Sequence, residues 1–233
     1  MICPKIANEL NKIADKKQAV HLRRFFKTGK GQYGEGDKFL GIKVPRQREV
    51  AKKYFQEITL EDVKKLIASP YHEFRLTGLI ILTYKFPKIS EADQKKIFDF
   101  YLKHTKRINN WDLVDLSAPN IVGTWLLDKN RKILYKLAKS RILWERRIAM
   151  LATYAFIRAG EFDDTLKLAD ILLNDKHDLM HKAVGWMLRE VGKRDKKVLT
   201  NYLKPRYKNM PRTMLRYAIE KFSEGERKFY LSK

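Results

Sequence analysis

Apolar residues along this chain recur at intervals of three and four rather than two. Val63, Leu66 and Ile67 are followed by Leu76, Leu79 and Ile80 at the same spacing, which gathers each set on one face of an α-helix. Strand-type alternation is nearly absent, so the pattern predicts an all-α fold. It predicts helices over 4–27, 45–56, 59–69, 72–86, 90–106, 110–127, 130–139, 142–159, 161–173, 177–192, 195–203 and 211–222. Pro45 suits a first helical turn, where its missing N–H costs nothing. Ser90 precedes Asp93 by three residues, a capping arrangement. Gly160 and Gly192 are expected to stop the helices before them.

Aligning the more apolar helices exposes a period. Their early basic positions are Arg75, Arg147, Lys182 and Arg216, separated by 72, 35 and 34 residues. The first gap is two periods of 36. Helix pairs that repeat every 30–45 residues or so indicate an α-solenoid, here a single domain over 1–233 whose matching basic positions line one concave face. Chance spacing in an all-helical chain is the competing reading. A further member falls near 111–112, inside "NNWDLVDLSAPNIVG", Asn109–Gly123. That stretch reverses the charge, offering Asp112 and Asp115 where its neighbours carry Arg or Lys. Trp111 and Asp115 are four residues apart and share a helical face.

Charge then narrows the class. The 233 residues hold 50 Lys+Arg and 27 Asp+Glu, a net +23, with 44% hydrophobic residues. Such a chain builds a core and is not a disordered basic tail. From Lys182 to Lys233 there are 15 Lys/Arg and 5 Asp/Glu, a net +10, which leaves +13 on the remainder. The excess is therefore spread over a surface, and a polyanionic partner is the direct reading; a solvated charged surface is the bland one. The single Cys3 excludes an internal disulfide framework or a Cys-based zinc cluster. No apolar run is long enough for a membrane span. The first residues lack a signal-peptide core, so a cytoplasmic protein is expected.

Several motifs are decoys. "GKGQYG", Gly29–Gly34, is a literal G-x-G-x-x-G, but a dinucleotide site needs it between a strand and a helix. It follows a helical pattern instead and reads as part of a long ordered loop whose glycines allow close approach to a phosphate backbone. His177 and His181 have i,i+4 spacing but lack the intervening Glu and a third ligand, so no metal is assigned. Most of the Trp, Tyr and Phe side chains belong in the core. Trp111 and Trp186 stand out because each lies near a charge.

Three blocks carry a resemblance: "YGEGDKFLGIKVPRQREVAKKY", "NNWDLVDLSAPNIVG", and "WERRIAML" followed by "KAVGWMLREVGK". Together they resemble the AlkD-like DNA alkylation-repair glycosylases, over about 33–193 and in the same order. The resemblance implies HEAT-like repeats, a basic concave face for duplex DNA, and removal of N3- and N7-alkylated purines without metal or cofactor. It assigns the catalytic carboxylate to Asp115, the two indoles around the lesion's sugar and backbone to Trp111 and Trp186, and an arginine near the phosphate to Arg147. Phe25 falls where related proteins carry Tyr, a departure that removes a hydroxyl. Further phosphate contacts are expected from Lys182, Arg189, Lys193, Arg194, Arg212 and Arg216. The expected form is a monomer, associated with the nucleoid when bound to DNA. A non-catalytic module for bent or branched DNA fits the basic surface equally well, and a protein-binding scaffold is a third reading.

Overall fold

The computed structural model describes residues 2–232. Fourteen α-helices follow one another in this range, with no β-strand beyond an isolated parallel bridge between Lys38 and Tyr71. The fold is all-α. The chain divides into two compact units, one ending at Ile121 and the other beginning at Val122.

The first unit holds α1 (Cys3–Lys12), α2 (Lys16–Phe25), α3 (Val44–Tyr54), α4 (Leu60–Ala68), α5 (His72–Lys85), α6 (Glu91–Lys103) and α7 (Trp111–Ser117). Helix α5 is its centre and packs on α3, α4 and α7. Leu76 through Leu82 are all buried, each large apolar side chain contributing about 1.5–3 kcal/mol. The helix expected over 4–27 is two helices. Asp15 breaks it: its carboxylate accepts from the N–H groups of Lys17 (2.8 Å) and Gln18 (3.1 Å), restarting the chain as an N-cap. The helix expected over 110–127 is also interrupted. After α7 the backbone widens into a π-turn over Pro119–Gly123, because Pro119 has no N–H to continue the i→i−4 ladder.

The long glycine-containing loop between α2 and α3 is ordered, and its last glycine packs closely against the protein itself. The N–H groups of Leu40, Gly41 and Ile42 all donate to the buried Glu73 carboxylate at 2.9, 2.8 and 3.2 Å. Gly41 has φ +87°, and a Cβ there would stand 2.0 Å from the Asp15 carbonyl oxygen. Only glycine fits.

The second unit holds α8 (Lys132–Ala138), α9 (Leu143–Arg158), α10 (Asp163–Ile171), α11 (Asp178–Arg194), α12 (Lys196–Leu203), α13 (Arg212–Ala218) and α14 (Glu224–Leu231). Helix α9 packs on α8, α10 and α11, and α11 also packs on α12 and α13. Gly160, at φ +83°, ends α9 as expected. Gly192 does not end α11, which runs on to Arg194. A Cβ on Gly192 would meet Leu199 Cδ2 at 2.3 Å, so this glycine serves the close packing of α12. Helix α14 was not anticipated, although its start is visible: Ser223 and Glu226 form a reciprocal capping box.

Candidate functional site

Helix α7 begins with Asn110, whose side-chain oxygen accepts from the Trp111 N–H at 2.8 Å. This N-cap fixes where Trp111, Asp112 and Asp115 leave the helix. Trp111 packs face to face on Phe26, with ring centroids 5.3 Å apart, and edge-on against Phe25 at 5.9 Å. Phe25 is 55% exposed. Leu22, Phe25, Phe26, Phe39, Trp111 and Asp112 belong to the lining of an open cavity of about 400 Å³. Asp115, four residues after Trp111, is half-buried.

Beneath the indole lies a charge network that the sequence reading missed. His72, the first residue of α5, is almost fully buried. Its Nε2 meets Asp112 Oδ2 at 2.8 Å and its Nδ1 meets Asp37 Oδ2 at 3.3 Å. Phe26 and Phe39 pack on the ring with centroids 4.9 and 4.8 Å away. Burial pushes the imidazole pKa down, but the Asp112 charge and the bonds to Asp112 and Asp37 outweigh it and raise the value to about 9. His72 is therefore an imidazolium at neutral pH and donates from both nitrogens. Asp37 is pushed up by burial, yet the His72 bond and the Arg75 and His72 charges hold it below the usual carboxylate range. Arg75 Nη2 reaches Asp37 Oδ1 at 2.7 Å, and Asn110 Nδ2 donates to Asp37 Oδ2 at 3.3 Å. The result is two carboxylates and two cations locked under α7.

Arg75 thereby leaves the set of surface-lining cations that the period predicted. It is 1% exposed, and its Nη1 donates to the carbonyls of Ser69 and Pro70 at 3.1 and 3.2 Å. These carbonyls lie six and five residues upstream. In the second unit Arg146 makes the same connection, to the carbonyls of Ser140 (2.9 Å) and Arg141 (3.1 Å), and pairs with Asp175 at 2.6 Å. Arg75 therefore shares its local environment with Arg146, one residue before Arg147. Both arginines cap carbonyls exposed where one helix ends and the next begins.

The second unit carries the remaining predicted residues. Arg147 is buried, and its Nη1 donates to the Leu179 carbonyl at 2.5 Å, tying α9 to α11. On α11, Lys182 pairs with Asp178 at 2.7 Å. One turn later Trp186 packs on Tyr154, centroids 6.2 Å apart, and its indole N–H donates to Glu190 Oε1 at 3.2 Å. Glu190 gathers three of the predicted cations: Lys193 at 2.7 Å, Arg194 at 3.6 Å and Arg189 at 3.8 Å. Arg189 also pairs with Glu220. The guanidinium groups of Arg158 and Arg194 stand 5.2 and 5.9 Å from the Tyr154 ring. Arg212 donates to the Leu231 carbonyl at 2.5 Å, and both Arg212 and Arg216 are exposed on α13.

The structure thus groups Phe25 with Trp111, with Asp115 one turn along α7, in the first unit. It groups Trp186 with Arg189, Lys193 and Arg194 in the second. Glu190 was legible as the one acid in "LREVGKR", four residues after Trp186. His72 had no local signal, because its carboxylates lie 35 and 40 residues away. His177 and His181 have structural roles. His177 Nδ1 accepts from the Leu179 N–H at 3.2 Å, and His181 Nε2 lies 2.5 Å from the Asp175 carbonyl oxygen. Among the described residues no group of three His, Cys, Asp or Glu could hold a metal ion, and no helix is long and apolar enough to cross a membrane.

A family model described as DNA alkylation repair enzyme matches residues 6–222. A solved structure from Enterococcus faecalis, described as a predicted DNA alkylation repair enzyme, superposes with a TM-score of 0.71 at 16% identity, covering 91% of this chain and 97% of that one. A second, smu.31 from Streptococcus mutans UA159, superposes with a TM-score of 0.55 at 17% identity, covering 90% and 99%. At these identities the two structures speak for the fold. Comparison with curated proteins gave no match.

Proposed function

Because the chain belongs to the DNA alkylation repair enzyme family, we propose that it is a monofunctional glycosylase that hydrolyses the N-glycosidic bond of cationic N3- and N7-alkylpurines in duplex DNA. The observation that carries this reading is the pairing on α7 of Trp111 with Asp115, beside the exposed ring of Phe25. An N3- or N7-alkylpurine is already positively charged and leaves without being protonated. Breaking the C1′–N bond moves positive charge onto the sugar. Asp115 stabilises that oxocarbenium-like sugar and orients the attacking water. Trp111 offers an indole face to the same cationic centre.

The buried network sharpens the assignment between the two acids of α7. Asp112 is only 14% exposed and is neutralised by His72 at 2.8 Å. Asp115, half-buried and one turn along α7 from Trp111, is the carboxylate we assign to the sugar. In the second unit Trp186, Lys182, Arg189, Lys193, Arg194, Arg212 and Arg216 supply the indole and cations for the phosphate backbone, and the buried Arg147 braces α11 beneath them through the Leu179 carbonyl. No metal or cofactor takes part in the step, the working form is a monomer, and the protein acts in the cytoplasm on the nucleoid.

The test is release of 7-methylguanine from duplex DNA by the wild type and by Asp115→Asn. Loss of one preorganised electrostatic group raises a barrier by about 3–4 kcal/mol, so the variant should be slower by roughly a hundredfold or more while still binding the duplex. A wild type that binds but liberates nothing makes the protein a non-catalytic DNA-structure binder. Equal excision of uracil would contradict the cationic leaving group.

A further inference from the structure

The cations of the second unit are not simply presented to solvent. The Glu190 carboxylate, its side chain 6% exposed, lies beneath Lys193 and Arg194, whose side chains are 41% and 31% exposed. Arg189 is held from both sides, by Glu190 and by the half-exposed Glu220. Here the anion is buried and two of its cations reach water, so a phosphate arriving from solvent competes with Glu190 for the same N–H groups. The carboxylate also repels that phosphate, as like charges do in a partly desolvated site. The same Glu190 Oε1 accepts the Trp186 indole N–H, so withdrawing Lys193 from it changes the bonding of the indole as well.

We propose that Glu190, assisted by Glu220, is an internal counter-ion that restrains Arg189, Lys193 and Arg194 from gripping undamaged duplex DNA and couples their release to the hold on Trp186. This rests on DNA being the partner. The consequence is specificity by restraint. The intact duplex, which offers phosphates but no cationic base, is held weakly. A lesion site, which also engages the indole, compensates for the lost internal pairs. A highly basic protein gains from such a brake, because non-specific grip rises with every cation left unpaired.

The experiment is titration of an undamaged duplex by fluorescence anisotropy over a series of salt concentrations. Glu190→Gln keeps an oxygen for the indole and removes the charge. It should bind several-fold tighter than wild type near 0.1 M salt, with a salt slope steeper by roughly 0.9 for each phosphate gained. Glu190→Asp keeps the charge and should bind as wild type does. Glu220→Gln lies at the exposed rim, where folding tolerates the change, and should tighten binding by a smaller factor. Unchanged or weaker binding by a folded Glu220→Gln protein overturns the proposal, and so does Glu190→Asp binding as tightly as Glu190→Gln. A wild type that binds no duplex at all overturns the DNA reading itself, whatever the variants do.

Discussion

The two units bury charge in opposite senses. In the first, the His72 cation is wedged between two carboxylates, Asp37 and Asp112, with Arg75 also paired to Asp37 and the stacked rings of Phe26 and Phe39 packed against the imidazole. In the second, one carboxylate, Glu190, is set among three cations. The first arrangement is sealed: His72 and Asp37 are almost wholly removed from water. The second is open on its cationic side. A sealed network costs much to break and holds a helix start in place. An open one is cheap to rearrange and suits the polyanion-binding surface we propose.

The largest effect expected from this contrast is on stability. His72→Leu leaves Asp37 and Asp112 with no imidazolium between them, and breaking a buried ion pair by removing one member costs about 3–5 kcal/mol. Glu190→Gln removes a charge whose counter-ions reach water and should cost no more than about 1–2 kcal/mol, the scale of a single hydrogen bond. Urea unfolding of both variants against wild type measures the difference. A Glu190→Gln protein that loses as much as His72→Leu would mean that the second cluster is sealed too.

Neither network was legible as a network in the sequence, and the reason is range. Helix existence, the Gly160 stop and the Ser90 start depend on residues a few positions apart, and these expectations match the structure. The Asp37–His72–Asp112 contact depends on chain segments 35 and 40 residues apart, which periodicity does not connect. The period itself misled at Arg75 and at Arg147, both of which are buried. Arg75 looked like a surface cation because its spacing to Arg147 is 72, yet its environment matches that of Arg146. A basic residue early in an apolar helix can serve either the surface or the carbonyls of the preceding turn, and spacing does not separate the two. Gly192 misled in the same way, since a glycine near a helix end can be a stop or a packing contact.

The pH dependence of folding sharpens the contrast further. His72 has its pKa raised from 6.5 to about 9 on folding, so its contribution to stability is complete below about pH 6.5. It fades as the pH rises and is lost once the pH passes about 9. The full span is worth roughly 3 kcal/mol. Wild type and Glu190→Gln should lose that stability together between about pH 7 and 10, and His72→Leu should lose markedly less. Parallel curves for all three proteins would remove the imidazolium from the account of the first unit.

A smaller difference separates two glycines with similar backbones. Gly41 and Gly160 have φ +87° and +83°. An added methyl at Gly41 runs into the Asp15 carbonyl, whereas at Gly160 nothing lies within 4 Å. Gly160→Ala should cost only the left-handed backbone penalty of about 1–2 kcal/mol. Gly41→Ala adds a clash with the Asp15 carbonyl that pushes on the loop donating three N–H bonds to Glu73, and its thermal midpoint should fall further. Equal midpoints would show that the loop yields at little cost and that its contacts do not brace α5.

The smallest effect isolates an exposed cation from a restrained one. Arg216 is exposed on α13 and, among the described residues, pairs with no carboxylate. The contribution to holding a duplex that we propose for it is not offset by an internal bond that must first be broken. Arg216→Ala should therefore weaken binding to every duplex by a similar factor and make the salt slope shallower by roughly 0.9 if it meets one phosphate. Damaged and undamaged duplexes should be affected alike, because a phosphate contact carries no information about the base. Lys193→Ala removes a cation that Glu190 already holds at 2.7 Å, so it should weaken the damaged duplex more than the undamaged one. Identical losses on both duplexes for both variants would erase the distinction between open and restrained cations.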